Sequence, residues 1–282
     1  MPKLYRTLAV TDALAGRTVK SLLQRELALP AGYVSHLKFV PGGIGLNGEP
    51  VRVTARVRAG DTLRIRIDDV GPGNPFAPMD GGARVVWEDE YLAVLSKSAG
   101  AAVHGAGVSV AAFAAFRWGP EQSFHPVNRL DVGTTGLMVL AKCGLVHELL
   151  RRSLHTERFL REYLAIAEGE CAAAGRVDRP VDGKSARTDY ERLWTDGAVS
   201  LLRLRLTTGR THQIRDHMAS LGHPLAGDTA YGGKSTLPRP ALHSAHCAFD
   251  HPFDGGRLSF SEPLPPDMRA FLEKRGCCGV DL

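Results

Sequence analysis

The sequence predicts an α+β protein in two unequal parts, a small α+β unit followed by a larger domain built on a largely antiparallel, mixed sheet. Three observations carry this reading. Beyond residue 83, several short apolar stretches follow one another without the regular crossover helices of a doubly wound parallel sheet. The segment DDVGPGNPFAPMDGG, rich in glycine and proline, breaks the periodic pattern and marks a linker at 69–82. Charge is also uneven: residues 1–68 hold eleven Lys and Arg against five Asp and Glu, and the remainder twenty-four against twenty-five, so the excess behind the net +5 lies upstream. The expected division is therefore 1–68, a linker at 69–82, and 83–282.

In the small unit, TVKSLLQRELAL places Val19, Leu22, Leu23 and Leu27 on one helical face, and GYVSHLKFV reads as a second short helix. IGLNGEPV gives a strand, an Asn47-Gly48 turn and a return strand, and GDTLRIRI alternates Leu63, Ile65 and Ile67 with Arg64 and Arg66. The positive excess has two readings: a module that meets a polyanion, or a solvated basic face.

In the larger domain, ARVVWEDEYLAVLSK reads as two strands about an acidic turn, with further strands at 137–141, 162–167, 188–193 and 201–206 and in ALHSAHCAF. Helical spacing appears at 145–154, at 211–221 and in PDMRAFLEKR.

Several classes are excluded. No apolar run reaches membrane-helix length, and MPKLYRTLAV lacks the apolar core of a signal peptide, so a cytoplasmic protein with no membrane partner is expected. Cys143, Cys171, Cys247, Cys277 and Cys278 form no C-x-x-C pair and read as reduced thiols. GDTAYGGKS places Asp228 where a phosphate-binding loop needs glycine, and the prolines of TLPRP exclude the helix that should follow, so no nucleotide cofactor is expected. His243, His246 and His251 with Cys247 match no zinc spacing, and His243 and His246 read as pocket or surface residues; no metal is expected. There is no G-x-S-x-G elbow of a serine hydrolase.

Two stretches remain, NRLDVGTTG at 128–136 and GRTHQIRDHMASLGHPLAGDTAYGG at 209–233. On a helix beginning near Thr211, Ile214, Met218 and Leu221 would face the core, leaving Gln213, Arg215 and Asp216 free to point elsewhere. Arg215 could then reach Asp131, placed between a strand and a Gly133-Thr134-Thr135-Gly136 turn. An aspartate paired with arginine suits a nucleophile or general base, while the alternative is an Asp131 that only caps its turn.

NRLDVGTTGLMVLAK resembles the first signature of pseudouridine synthases of the ribosomal large-subunit branch. REYLAIAEG is similar to their second motif, the 209–233 stretch to their third, and LHSAHCAFDHP to the segment that follows. VKSLLQREL, GGIGLNGEPV and VRAGDTLRI resemble the S-four-like RNA-binding domain that precedes such catalytic domains. The resemblance implies isomerisation of uridine in RNA without a cofactor, with base flipping. In that scheme Asp131 is the catalytic carboxylate, Tyr163 stacks on the uracil and takes a proton, and Arg215 holds Asp131 ionised. Arg129 would replace the flipped base, with Thr134, Thr135, Gly136, Arg210, His212 and Gln213 as further substrate-binding residues, and Leu130 and Leu137 as packing. Asn128, Val132 and Thr135 depart from the pattern, the first two bearing on substrate choice. The implied partner is ribosomal RNA, with transfer RNA as the alternative, and the chain is expected to act as a monomer. The competing reading is an RNA-binding protein that has lost catalysis.

Overall fold

Thr18 starts the first helix, its hydroxyl accepting the Ser21 N–H at 3.2 Å. Helix α1 (Val19–Arg25) buries Val19, Leu22 and Leu23, and α2 (Ala31–Leu37) buries Val34 and Leu37. The computed structural model describes residues 4–69 and 73–277, so linker positions 70–72 and Cys278 lie outside the described residues. The chain divides into two compact units, one holding the described residues up to 69 with Cys143–Leu145, the other holding the rest.

In the first unit, β1 (Tyr5–Ala9), β2 (Ile44–Leu46), β3 (Glu49–Pro50) and β4 (Thr62–Arg66) form an antiparallel sheet of order β1-β4-β2-β3. Leu63, Ile65 and Ile67 are fully buried, as their alternation requires. Asn47 and Gly48, at φ 53° and 92°, make the turn between β2 and β3. Strand β1 was not foreseen, because YRTLA carries little apolar alternation and gains its conformation from pairing with β4.

In the second unit, β5 (Ala83–Glu88), β6 (Leu92–Lys97), α3 (Val110–Trp118), β7 (His125–Pro126), β8 (Thr135–Ala141), α4 (Gly144–Ser153, from Val146 onward) and β9 (Phe159–Glu168) come first. Then follow β10 (Ala174–Asp178), β11 (Arg187–Thr195), β12 (Val199–Leu206), α5 (Gln213–Ser220), β13 (Leu242–Asp250), β14 (Arg257–Ser261) and α6 (Pro266–Glu273). The sheet runs β10-β11-β12-β9-β13-β8-β6-β5, with β14 on β13 and β7 on β8. Every pairing is antiparallel except β13 with β8, where His243 meets Thr135 and Ser244 meets Gly136. Strand β9 is buried on both faces: Tyr163 and Ala165 join the core that holds Phe113, Ile214 and Met218, while Leu164 and Ile166 pack with Met268 and Leu272. None of the helices is long and apolar enough to cross a membrane, among the described residues.

Helix α3 escapes sequence reading because VAAFAAFRW is apolar on most of its circumference and has no stripe; Ser109 caps it by accepting the Ala112 N–H at 3.1 Å. Helix α5 begins at Gln213, two residues later than its spacing suggests, because His212 at φ 55° is left-handed and cannot be a helical residue. Leu221 lies beyond its end and is exposed, so it is not core. No strand leads directly into Asp131, and the turn there closes at Thr134, whose N–H bonds to the Asp131 carbonyl at 3.0 Å; Thr135 and Gly136 already belong to β8.

Gly136 is thus a packing residue. At φ 106°, a Cβ on it would stand 2.2 Å from the Ser244 carbonyl oxygen of β13. Gly136→Ala should destabilise the protein by on the order of 3 kcal/mol in urea unfolding, in the upper part of the usual range for single substitutions. A loss below about 1 kcal/mol would show that the parallel β8–β13 pairing yields at small cost.

Candidate active site

Asp131 faces a cleft of about 530 Å³ whose lining also includes Arg129, Arg161, Tyr163, Arg210 and His212. Two buried cations fix the main chain just after it. Lys97, at the end of β6, donates to the carbonyls of Ser98, Ala101 and Val132 at 2.9, 2.8 and 3.1 Å. Arg239 donates through Nη1 to the Gly133 carbonyl at 3.0 Å and grips Asp267 of α6 through Nε and Nη2 at 2.8 and 2.9 Å.

Arg215 reaches Asp131, but not as its main partner. Its Nε and Nη2 bond to Asp228 Oδ2 and Oδ1 at 2.6 and 2.7 Å, while Nη1 stands 3.8 Å from Asp131 Oδ2. Asp228, only 1% exposed, holds the guanidinium, and Asp131 is its second, more distant carboxylate. The Tyr231 ring covers it at 4.7 Å, and the pairing with Asp228 followed by the field of Asp131 pushes the Arg215 pKa upward. Asp228 and Tyr231 stand in the AGDTAYGG stretch, where Asp228 signalled only a failed phosphate loop. A buried carboxylate thirteen residues beyond Arg215 across a turn has no periodic signature.

His212 Nε2 lies 3.9 Å from Asp131 Oδ1, with Nδ1 3.2 Å from the Tyr231 hydroxyl. Tyr163 lines the same cleft from β9. Burial pushes its phenol above the ordinary value, Arg161 opposes the shift and Asp131 adds to it, so at neutral pH the hydroxyl keeps its proton. It can donate a hydrogen bond in that state, whereas accepting a proton would first require ionisation. Arg129 is exposed and makes no hydrogen bond or ion pair with a described residue; Arg210 is exposed in part and donates to the Ser185 carbonyl at 3.0 Å.

Other expected substrate-binding residues turn inward. Gln213 accepts from Thr208 Oγ1 and Arg210 N and donates to Arg187 O and Thr188 Oγ1, which commits its whole amide to shaping the loop before α5. Asp216 pairs with Arg179. Thr135 bonds to His243 Nδ1 at 2.8 Å, and His243 Nε2 to the Glu262 carbonyl at 3.2 Å, so His243 is a buried packing group. Asn128, expected to bear on substrate choice, is buried and its Oδ1 accepts the Val139 N–H at 2.8 Å. Val132 is exposed. Thr134 does line the cleft, with a buried hydroxyl that has no hydrogen-bond partner among the described residues. No group of three or more His, Cys, Asp or Glu is placed to hold a metal among the described residues.

Among the described residues, the titratable lining of the cleft comprises Arg129, Arg161, Arg210, His104, His155 and His212, with Tyr163 and a single carboxylate, Asp131. Burial, then Arg129, holds His104 below its ordinary value. Such a cleft suits a polyanion whose reacting centre meets one carboxylate.

The family described as RNA pseudouridylate synthase matches residues 91–220. The chain is 36% identical over 271 residues to a ribosomal large subunit pseudouridine synthase D of Vibrio parahaemolyticus, covering 82% of both chains. It is 32% identical to an uncharacterized RNA pseudouridine synthase of Bacillus subtilis, over 88% of this chain and 96% of that one. The fold is similar to human RNA pseudouridylate synthase domain containing 4, with a TM-score of 0.57 over 67% of this chain and 92% of that one at 23% identity.

Lys97 beneath the Asp131 loop offers a test by pH. Burial, then Arg239, pulls its pKa from 10.5 to about 8, with Asp131 opposing. Between those values the unfolded chain holds a proton that the folded chain has released, so the Lys97 contribution to stability rises with pH. Unfolding free energies in urea should show a rise of at most about 1.4 kcal/mol per pH unit in that window, absent from Lys97→Met. Parallel pH profiles would show that Lys97 titrates normally.

Proposed function

Because the chain belongs to the RNA pseudouridylate synthase family, and is thus an isomerase acting on RNA, we propose that the Asp131 cleft is where uridine becomes pseudouridine. The observation that carries this reading is Asp131 as the cleft's single carboxylate, with Arg215 Nη1 3.8 Å away and Tyr163 in the same lining. The reaction breaks the bond from C1′ of ribose to N1 of uracil, turns the ring, joins C5 to C1′, releases the C5 proton to solvent and takes one proton up at N1. No atom is gained or lost overall. Asp131 acts at C1′ or on the ribose proton beside it, and Arg215 supplies a positive charge opposite without bonding to the carboxylate directly. Tyr163 provides the ring on which the uracil stacks, its hydroxyl donating to the nucleotide.

A uridine within structured RNA cannot enter this cleft while stacked, so the base is flipped out, and Arg129, exposed and uncommitted, fills the place it leaves. Thr134 donates or accepts at the ribose. Ribosomal RNA is the proposed substrate, by analogy with the relatives named for the large subunit. Mapping pseudouridines in total RNA from cells with and without the protein tests this: loss of large-subunit sites is expected, and loss confined to transfer RNA would redirect the assignment.

Asp131→Asn keeps the size of the side chain, and Arg215 retains Asp228 as its partner, so a stable fold is expected. Tritium release from RNA labelled at C5 of uracil should fall by at least about a thousandfold, as removal of a reacting group commonly causes, while RNA binding persists. Near wild-type release from the folded variant would remove Asp131 from the chemistry.

The first unit is proposed as an S-four-like RNA-binding domain. It carries a groove of about 460 Å³ lined by Lys38, Val40, Ile44, Arg52 and Val53, next to Phe39 at 84% exposure. Exposed aromatic and cationic groups together are the usual means of holding single-stranded RNA. Replacing Lys38 and Arg52 with Gln should lower the log–log salt slope of RNA binding by about 0.7 to 0.9 for each phosphate no longer neutralised. An unchanged slope would assign this basic surface to solvation.

A further inference from the structure

Arg161 of β9 is 4% exposed and has no carboxylate within ion-pair distance among the described residues. Its Nη2 is shared among the carbonyls of Leu154, Leu206 and Thr208 at 3.1, 3.4 and 3.4 Å. Its Nε is buried without a hydrogen-bond partner and its Nη1 donates to none among the described residues, although a Cβ on Gly209 would come within 3.0 Å of Nη1. A guanidinium taken out of water normally finds a carboxylate, because carbonyl dipoles alone compensate its charge incompletely. Here the charge is left open on the wall of the cleft that holds Asp131.

We propose that Arg161 is a binding position for the phosphodiester next to the target nucleotide. This rests on the reading that the nucleotide enters the Asp131 cleft, and it names the group that anchors it. Arg161 and Tyr163 are two apart on β9 and face the same side of the sheet, separated by about 6.6 Å along the strand. A base stacked on Tyr163 therefore leaves Arg161 beyond its ring, where the attached backbone passes. The ligand must be anionic: a neutral uracil oxygen would accept a hydrogen bond but leave the buried charge uncompensated, whereas a phosphodiester answers both.

The test uses the full chain and C5-tritiated RNA, with uridine and uridine 3′,5′-bisphosphate as competitors. The bisphosphate should inhibit at about tenfold lower concentration than uridine, and Arg161→Met should remove that difference, as expected when a charge-assisted hydrogen bond is taken away. In Arg161→Met the KM for RNA should rise by about tenfold and the salt slope of binding fall by about 0.7 to 0.9, with kcat nearly unchanged; Arg161→Lys should restore the slope. Equal inhibition by the two competitors in the wild type would overturn the proposal, and needs no variant to fold. So would an unchanged slope and KM in a folded Arg161→Met. Tritium release by the wild type, on which the inhibition and KM arms depend, tests the underlying assignment of the cleft separately.

Discussion

Arg215 is one guanidinium shared between two carboxylates, and the arrangement of the cleft depends on how unequally it is shared. Asp228 takes two of its nitrogens in short, parallel hydrogen bonds, and the third is turned toward Asp131 at 3.8 Å. A buried ion pair of this geometry is tolerable because the partners satisfy one another, and it sets the guanidinium plane rigidly. Asp131 therefore faces a positive charge whose position it does not have to maintain. Its oxygens remain without a direct hydrogen bond to that charge. Had Asp131 been the bidentate partner, the same charge would have masked it.

The loop carrying Asp131 is held with comparable care through its backbone. Lys97 and Arg239 reach successive carbonyls, those of Val132 and Gly133, from β6 on one side and from the segment before β13 on the other. Thr135 and Gly136 then enter β8, one bonded to His243 and the other pressed against Ser244. The position of a side chain is fixed only when the freedom of the backbone that carries it has already been removed. This loop meets that condition with buried cations, although it belongs to no regular element.

Strand alternation made Leu63, Ile65 and Ile67 legible as core, and the motif resemblance brought Asp131, Tyr163, Arg129 and Arg215 to attention together; the structure places all four in or against one cleft. What the linear pattern could not separate was binding of substrate from support of the turn. Gln213 and Asn128 both line the cleft, yet the Asn128 Oδ1 accepts a main-chain N–H and the Gln213 amide is taken up by main-chain groups and threonine hydroxyls. Asp228 and Arg161 were missed for the opposite reason. Their significance lies in what they bond to, or fail to bond to, and neither is visible until β9, α5 and the loop after it are brought together.

The charge balance shows the same limit in another form. Beyond residue 68 the acids and bases nearly cancel, which suggests a neutral body. Along β10, β11 and β12, however, opposite charges neutralise one another across the sheet: Arg176 with Asp189, Arg187 with Asp178, Arg203 with Glu191, and Arg205 with Glu162 of β9. Carboxylates used in such pairs contribute little field elsewhere. The cleft, lined by three arginines and one aspartate, is left positive in a domain whose total is close to zero. The field of the cleft therefore depends on which charges remain unpaired and on where the chain leaves them, and among the described lining residues Asp131 is the one carboxylate that stands with those arginines.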